Sequence, residues 1–105
     1  MYINSKFKDG YEIQFHALDE ELALDSFFDD CPKQIEKDIE KGNLVVFCAK
    51  VVALKKGIVL AEEYLSQCIY EDYTAFFEEE DGYFDDMLDN VVVAAKDTLK
   101  SLLEN

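Results

Sequence analysis

Residues 44–69 read LVVFCAKVVALKKGIVLAEEYLSQCI, and this stretch decides how the chain folds. Residues 44–54 are apolar at almost every position and rich in valine. That pattern is typical of a central strand covered on both faces, although periodicity alone leaves a buried helix open. The KKG at residues 55–57 is a turn signal, so residues 58–69 should return antiparallel to the first strand. The stretch therefore predicts a β-hairpin at the centre of the domain.

A second hairpin is predicted at the N-terminus. Residues 2–8 lead into Asp9-Gly10, and residues 11–17 then alternate apolar and polar side chains. An Asp-Gly pair between alternating segments indicates a tight turn, because glycine tolerates positive φ.

The rest of the chain is predicted to be mainly helical. Residues 31–42 form a first helix with Asp30 as its N-cap, whereas residues 19–30 fit either a short helix or a loop. Residues 71–80 form a short acidic helix. A long amphipathic helix follows over residues 83–103, and its apolar positions keep a 3.6-residue spacing: 84, 87, 88, 91, 95, 99 and 102.

These elements predict one α+β domain over residues 1–105. Their order is ββαββαα, with two hairpins forming a small antiparallel sheet and the helices packed on one face. A chain of 105 residues is long enough to bury such a core without a metal or a disulfide.

The charge balance excludes two classes of ligand. The chain has 24 Asp and Glu against 10 Lys and no Arg, which gives a net charge of −14. A polyanion repels both phosphate backbones and anionic lipid, so we expect neither direct nucleic-acid binding nor membrane binding. We expect a basic protein partner instead.

Catalytic and metal motifs are not found in the sequence. His16 is the only histidine, and no local pattern places Cys48 or Ser66 beside it as a nucleophile. The adjacent pair Glu62 and Glu63 is read as one carboxylate on each face of an edge strand. An EF-hand loop centred on Gly82 would begin at a phenylalanine and end at a leucine, which supply no oxygen ligand. We therefore predict no enzyme, no metal and no cofactor.

The cysteines and the N-terminus indicate the cytoplasm. Cys31, Cys48 and Cys68 show no pairing or metal-binding spacing, and the chain opens without a secretion signal. No apolar run reaches the ~18–20 residues of a membrane span. We expect the cysteines to be small core residues in a reducing compartment.

The acids are concentrated in the C-terminal half. Residues 57–95 contain 11 acids and no lysine, and residues 71–89 contain nine of them among tyrosines and phenylalanines. Ordinary solubility requires a net charge of only about 2–8 for a small domain. In size, composition and charge layout, including EEYLSQCIYEDYTAFFEEEDGYFDD at residues 62–86, the chain resembles small acidic proteins that mimic nucleic acid, such as phage-encoded anti-restriction and anti-CRISPR inhibitors. The resemblance implies that carboxylates occupy the basic groove of a nucleic-acid-binding protein and exclude its ligand.

The predicted partner-binding residues are nine acids and two tyrosines that would serve as anchors if exposed: Glu71, Asp72, Glu78, Glu79, Glu80, Asp81, Asp85, Asp86, Asp89, Tyr73 and Tyr83. Two alternatives stay open. The chain could be a small adaptor or homo-oligomer, a homodimer included, that binds through an apolar surface such as the edge of residues 58–69 or Phe27 and Phe28. An enzyme using buried carboxylates would instead show a deep pocket that shields one or two acids from water.

Overall fold

The computed structural model describes residues 1–19 and 33–104. The elements are β1 (Tyr2–Lys8), β2 (Tyr11–Asp19), α1 (Lys33–Glu40), β3 (Val45–Lys55), β4 (Ile58–Tyr70), α2 (Tyr73–Glu78) and α3 (Tyr83–Glu104). The predicted α+β class and the ββαββαα order are confirmed. The N-cap predicted at Asp30 and the open assignment of residues 20–30, with Phe27 and Phe28, lie outside the described residues.

The four strands form one antiparallel sheet in the order β1-β2-β3-β4. Each hairpin turns through two residues with positive φ, which are Asp9 (54°) and Gly10 (87°) in one and Lys56 (54°) and Gly57 (79°) in the other. This is type I′ geometry, whose twist matches that of the flanking strands. Because β1 and β4 stand at the two ends of the strand order, they are the edges of the sheet. His16 lies on a central strand, because β2 pairs with both β1 and β3.

Phe15 joins the sheet to both helices of the core. It pairs across strands with Val51, and both side chains are 0% exposed. The Phe15 ring lies 4.9 Å from the ring of Phe76 in α2 and 6.0 Å from that of Phe84 in α3, measured between centroids. These separations are typical of packed aromatic pairs, which contribute beyond the burial of their area. The inner face of the sheet is thus the face that α2 and α3 cover.

The central strand β3 is fully covered on one face only. Its inner register is buried: Phe47, Ala49, Val51 and Ala53. On the outer face Val52 is buried at 4% exposure, whereas Cys48, Lys50 and Leu54 are half-buried. The prediction of burial on both faces is therefore wrong for most outer positions, because α2 and α3 pack on the same side.

The long helix α3 places an apolar stripe on the sheet. Its buried residues are Phe84, Met87, Leu88, Val91, Val92 and Ala95. The predicted stripe is confirmed as far as Ala95. Leu99 is half-buried and Leu102 is 61% exposed, because both line an open depression beside the β3–β4 turn. Within residues 1–19 and 33–104, no helix combines the length and apolar character needed to cross a membrane.

Candidate partner-binding surface

The nine acids of the predicted contact set lie just before α2, on α2, in the α2–α3 loop and in the first two turns of α3. Eight are exposed and Asp85 is half-exposed. They face solvent together because Phe76, Phe77 and Phe84 of the same helices are buried against the sheet. We call these nine acids the acidic surface: Glu71, Asp72, Glu78, Glu79, Glu80, Asp81, Asp85, Asp86 and Asp89.

Asp81 connects two parts of the acidic surface. With Glu79 and Asp86 it lines a depression of about 150 Å³. With Asp85 and Asp89 it also lines a neighbouring groove of about 390 Å³. The acids of the loop and of the first turns of α3 therefore share one continuous stretch of surface.

Two lysines of β1 neutralise the flank of the acidic surface. The Lys8 ammonium donates to Oδ1 of Asp89 at 2.9 Å, and the Lys6 ammonium lies 3.9 Å from Oδ1 of Asp85. The hydrogen bond to Asp89, followed by the charge of Asp89, raises the pKa of Lys8 above its ordinary value. The sequence interpretation missed these lysines. Lys6 and Lys8 are two positions apart in a strand and therefore share a face, which was the available signal.

Two acids of the set stabilise local backbone structure. Asp72 is the N-cap of α2, where its Oδ1 accepts from the backbone N–H of Ala75 at 2.7 Å. Asp85 lies in the first turn of α3, and its Oδ2 accepts from the backbone N–H of Asp81 at 2.9 Å. This second contact resembles the reciprocal half of a capping box and ties the α2–α3 loop to the helix.

Glu79 points back towards β4. Its Oε2 accepts from the hydroxyl of Tyr70 at 2.8 Å, and its side chain crosses Gly82 so closely that a Cβ there would lie 2.6 Å from Cδ of Glu79. Burial of the ring, followed by the hydrogen bond to Glu79, raises the pKa of Tyr70 well above its ordinary value. Glu79 therefore helps to hold the loop in place.

Five acids extend from the surface. Among the described contacts, their carboxylates form neither a hydrogen bond nor an ion pair. We call them the projecting acids: Glu71, Glu78, Glu80, Asp81 and Asp86.

The two predicted tyrosine anchors have different environments. Tyr83 is 60% exposed and lines both the acidic depression and a groove of about 350 Å³ beside residues 65–70 of β4. Tyr73 is half-buried, and its ring packs edge-on against Phe47 at 5.1 Å between centroids. Of the two predicted anchors, Tyr83 is the one that presents an open aromatic ring next to the acids.

Glu62 and Glu63 lie on opposite faces of the edge strand β4, as predicted. Glu62 is exposed on the outer face and accepts from the hydroxyl of Tyr64 at 2.7 Å. Glu63 faces the helices, and its Oε1 accepts from the Asn90 amide at 3.2 Å. Its Oε2 is buried and has no hydrogen-bond partner. Glu62 and Glu63 do not share a pocket, because they lie on opposite faces of the sheet. The buried oxygen of Glu63 lies beneath a helix and results from packing.

His16 bonds to its own strand. Its Nε2 lies 3.0 Å from Oε1 of Gln14, whose amide donates to Oε2 of Glu12 at 2.8 Å. Within the described part of the chain, no hydrogen bond connects His16 with Cys48, whose thiol contacts the carbonyl of Ala49.

The rejected calcium loop has buried ends. Phe77 and Leu88, which would occupy its first and last positions, are 6% and 7% exposed. Among the residues that the structure describes, no three His, Cys, Asp or Glu side chains are grouped so that they could hold a metal ion.

Comparison with known proteins gives no relative. No family model, no curated protein and no solved structure matches this chain.

Proposed function

We propose that this chain is an inhibitor that binds the basic groove of a nucleic-acid-binding protein and excludes the nucleic acid by mimicry. The observation that carries the proposal is the acidic surface, with its five projecting acids, in a segment, residues 57–95, that contains no lysine. Five of its nine acids line one continuous stretch: Glu79, Asp81, Asp85, Asp86 and Asp89. We further propose that the protein acts in the cytoplasm, does not catalyse a reaction and uses no cofactor.

The acidic surface concentrates charge at the start of α3 and in the loop before it. Asp85, Asp86 and Asp89 lie within about 6 Å of helix axis. Lys6 and Lys8 pair with Asp85 and Asp89, so Asp86 is the member of the three that keeps an unpaired charge. With Glu78, Glu80 and Asp81 it supplies negative charges that a groove built for a phosphate backbone would attract.

The acids that bind within the chain make this surface rigid. Asp72, Glu79 and Asp85 each accept a hydrogen bond that holds α2, the loop or the start of α3. A rigid array loses less conformational entropy on binding than a flexible acidic tail, which favours affinity. The projecting acids are then the groups that would meet lysine and arginine of the partner.

Tyr83 gives the surface an apolar anchor. Its exposed ring lies between the acidic depression and the groove beside β4. Tyrosine is enriched at binding hot spots, and its ring can also stack on an arginine guanidinium. Long-range attraction would speed the encounter, while Tyr83 would slow dissociation.

The test uses two charge-reversal variants of equal net charge. The first combines Glu78→Lys, Glu80→Lys and Asp86→Lys on the acidic surface. The control combines Glu40→Lys, Glu62→Lys and Glu104→Lys, which are exposed acids elsewhere. Each immobilised protein is incubated with cell lysate at low salt and eluted by a salt gradient, with and without competing DNA or RNA.

We expect the wild type and the control variant to retain a nucleic-acid-binding protein that salt elutes and nucleic acid displaces. The variant of the acidic surface should lose it, while circular dichroism shows that it remains folded. Equal retention by this variant would contradict the proposal. If the control variant loses the captured protein to the same extent, net charge alone determines binding. If competing DNA and RNA do not displace the captured protein, mimicry is excluded.

A further inference from the structure

The end of the molecule opposite the acidic surface is apolar. The 22 residues of α3 run from Tyr83, beside the acidic surface, over about 33 Å to Glu104. There the β3–β4 turn and the last turns of α3 enclose a depression of about 240 Å³. It is lined by Lys55, Lys56, Ile58, Leu60, Leu99 and Leu102.

Several large apolar side chains are exposed around this depression. The exposed fraction is 63% for Ile58, 61% for Leu102 and 79% for Leu103. Isolated exposed leucines are ordinary, but a contiguous apolar patch marks an interaction site. We call this patch the apolar end: Ile58, Leu60, Leu99, Leu102 and Leu103.

The charge near the apolar end differs from that of the whole chain. The charged residues of the β1–β2 turn, of the β3–β4 turn and of the end of α3 are Asp9, Lys55, Lys56, Lys96, Asp97, Lys100 and Glu104. They comprise four lysines and three acids, whereas the chain has a net charge of −14. Two copies can therefore approach each other at this end without the repulsion that their acidic surfaces would cause.

We propose that the apolar end is a self-association surface that joins two copies of this chain about a two-fold axis. Each copy offers both a depression and protruding leucines, so Leu102 and Leu103 of one copy can enter the depression of the other. The same patch serves on both copies, as a two-fold contact requires.

A second copy fits this surface better than other occupants. A basic partner would find stronger attraction at the acidic surface, whereas a second copy brings a matching apolar patch beside charges that nearly cancel. In the two-fold arrangement the two acidic surfaces lie at the outer ends, about as far apart as the fold allows. The inference does not rest on the proposed function.

The test compares a double apolar-to-lysine variant of the apolar end with a single apolar-to-lysine variant elsewhere on α3. Leu102→Lys, combined with Ile58→Lys, alters the apolar end. Val93→Lys is the matched control, because Val93 and Leu102 are both 61% exposed. Sedimentation equilibrium over a concentration series gives the mass of each protein, and circular dichroism verifies that each is folded.

We expect the wild type and Val93→Lys to approach twice the 12.1 kDa mass of one chain. The double variant should remain at the single mass, with a dimer dissociation constant raised about 100-fold or more. If it unfolds, Leu103→Lys supplies a second test, because Leu103 is 79% exposed and its replacement leaves the core untouched.

Three results would overturn the proposal. A wild-type protein that stays monomeric up to about 1 mM has no specific self-association of useful strength. A mass that keeps rising with concentration indicates open head-to-tail assembly instead of a two-fold pair. Equal dimerisation by wild type and double variant places the contact elsewhere. The charge-reversal variant of the acidic surface should still dimerise, which separates this inference from the proposed function.

Discussion

Asn90 of α3 donates its amide to Oε1 of Glu63 on β4 at 3.2 Å, while Oε2 of the same carboxylate is buried without a partner. Glu63 pairs with Val51 across the strands and so lies on the apolar face of the sheet. A buried oxygen that lacks a hydrogen bond has lost its hydration without replacement, which costs free energy of folding. The contact joins helix to sheet, but it leaves half of the carboxylate unsatisfied.

We therefore predict that Glu63→Leu stabilises the protein. An apolar side chain at this position would pack against Val51 and remove the unsatisfied oxygen, and Asn90 is exposed enough for water to take its amide. The free energy of unfolding, measured in urea, should rise by about 1 kcal/mol.

Removing any acid from this chain also relieves charge repulsion, so Glu78→Leu serves as the control. Glu78 is exposed at the end of α2. Glu63→Leu should stabilise more than Glu78→Leu. If Glu63→Leu is the less stable of the two, the carboxylate contributes more through Asn90 than its buried oxygen costs.

Gly82 and Glu79 should be energetically coupled. A Cβ at residue 82 would meet Cδ of Glu79 at 2.6 Å, so Gly82→Ala must displace a side chain that accepts from Tyr70. In a Glu79→Ala background that displacement costs nothing. A double-mutant cycle of urea unfolding should therefore give a coupling energy of about 0.5–1 kcal/mol, with Gly82→Ala costing more in the wild type. A coupling energy near zero would mean that Glu79 moves aside freely.

The ion pair between Asp9 and Lys96 predicts a pH dependence at acid pH. Lys96 donates to Oδ2 of Asp9 at 2.8 Å, and this hydrogen bond, followed by the charge of Lys96, lowers the pKa of Asp9 below its ordinary 3.8. Because the folded pKa is the lower one, the stabilisation is present above pH 3.8 and is lost as the pH falls through the folded pKa.

Carboxyl NMR titration should find the pKa of Asp9 below 3.8 in the wild type and nearer 3.8 in Lys96→Met. Lys100→Met is the matched control, since the Lys100 ammonium lies 4.0 Å from Glu104 and should leave Asp9 unaffected. An unchanged Asp9 pKa in Lys96→Met would mean that the pair does not form in solution.

The elements that were predictable from sequence are those with local signals. The Asp9-Gly10 pair predicts a turn, and the 3.6-residue spacing of the apolar residues from Phe84 to Ala95 predicts a helix that packs on one side. Contacts between distant segments have no local signal. The contact between Lys8 and Asp89 could therefore not be predicted, because the two residues are 81 positions apart in the sequence. The acids were recognisable as a group, but their division into structural and projecting members depends on tertiary contacts.

His16 should titrate below its ordinary pKa of 6.5. Burial of the ring on the outer face of the sheet is the main cause, followed by the positive charges of Lys50, its direct cross-strand partner, and of the N-terminus. The folded protein thus favours neutral His16. Stability from this group is fully present above pH 6.5 and falls as the pH drops from there towards the folded pKa.

Because His16 is the only histidine, proton NMR can follow its ring without overlap from another histidine. Lys50→Met should raise the pKa of His16 towards 6.5 but not fully to it, since burial remains, while Lys50→Arg keeps the charge and should leave the pKa low. A wild-type pKa at or above 6.5 would show that the outer face is more hydrated than its half-buried residues indicate. If Lys50→Met and Lys50→Arg gave the same pKa, the charge of Lys50 would have no part in it.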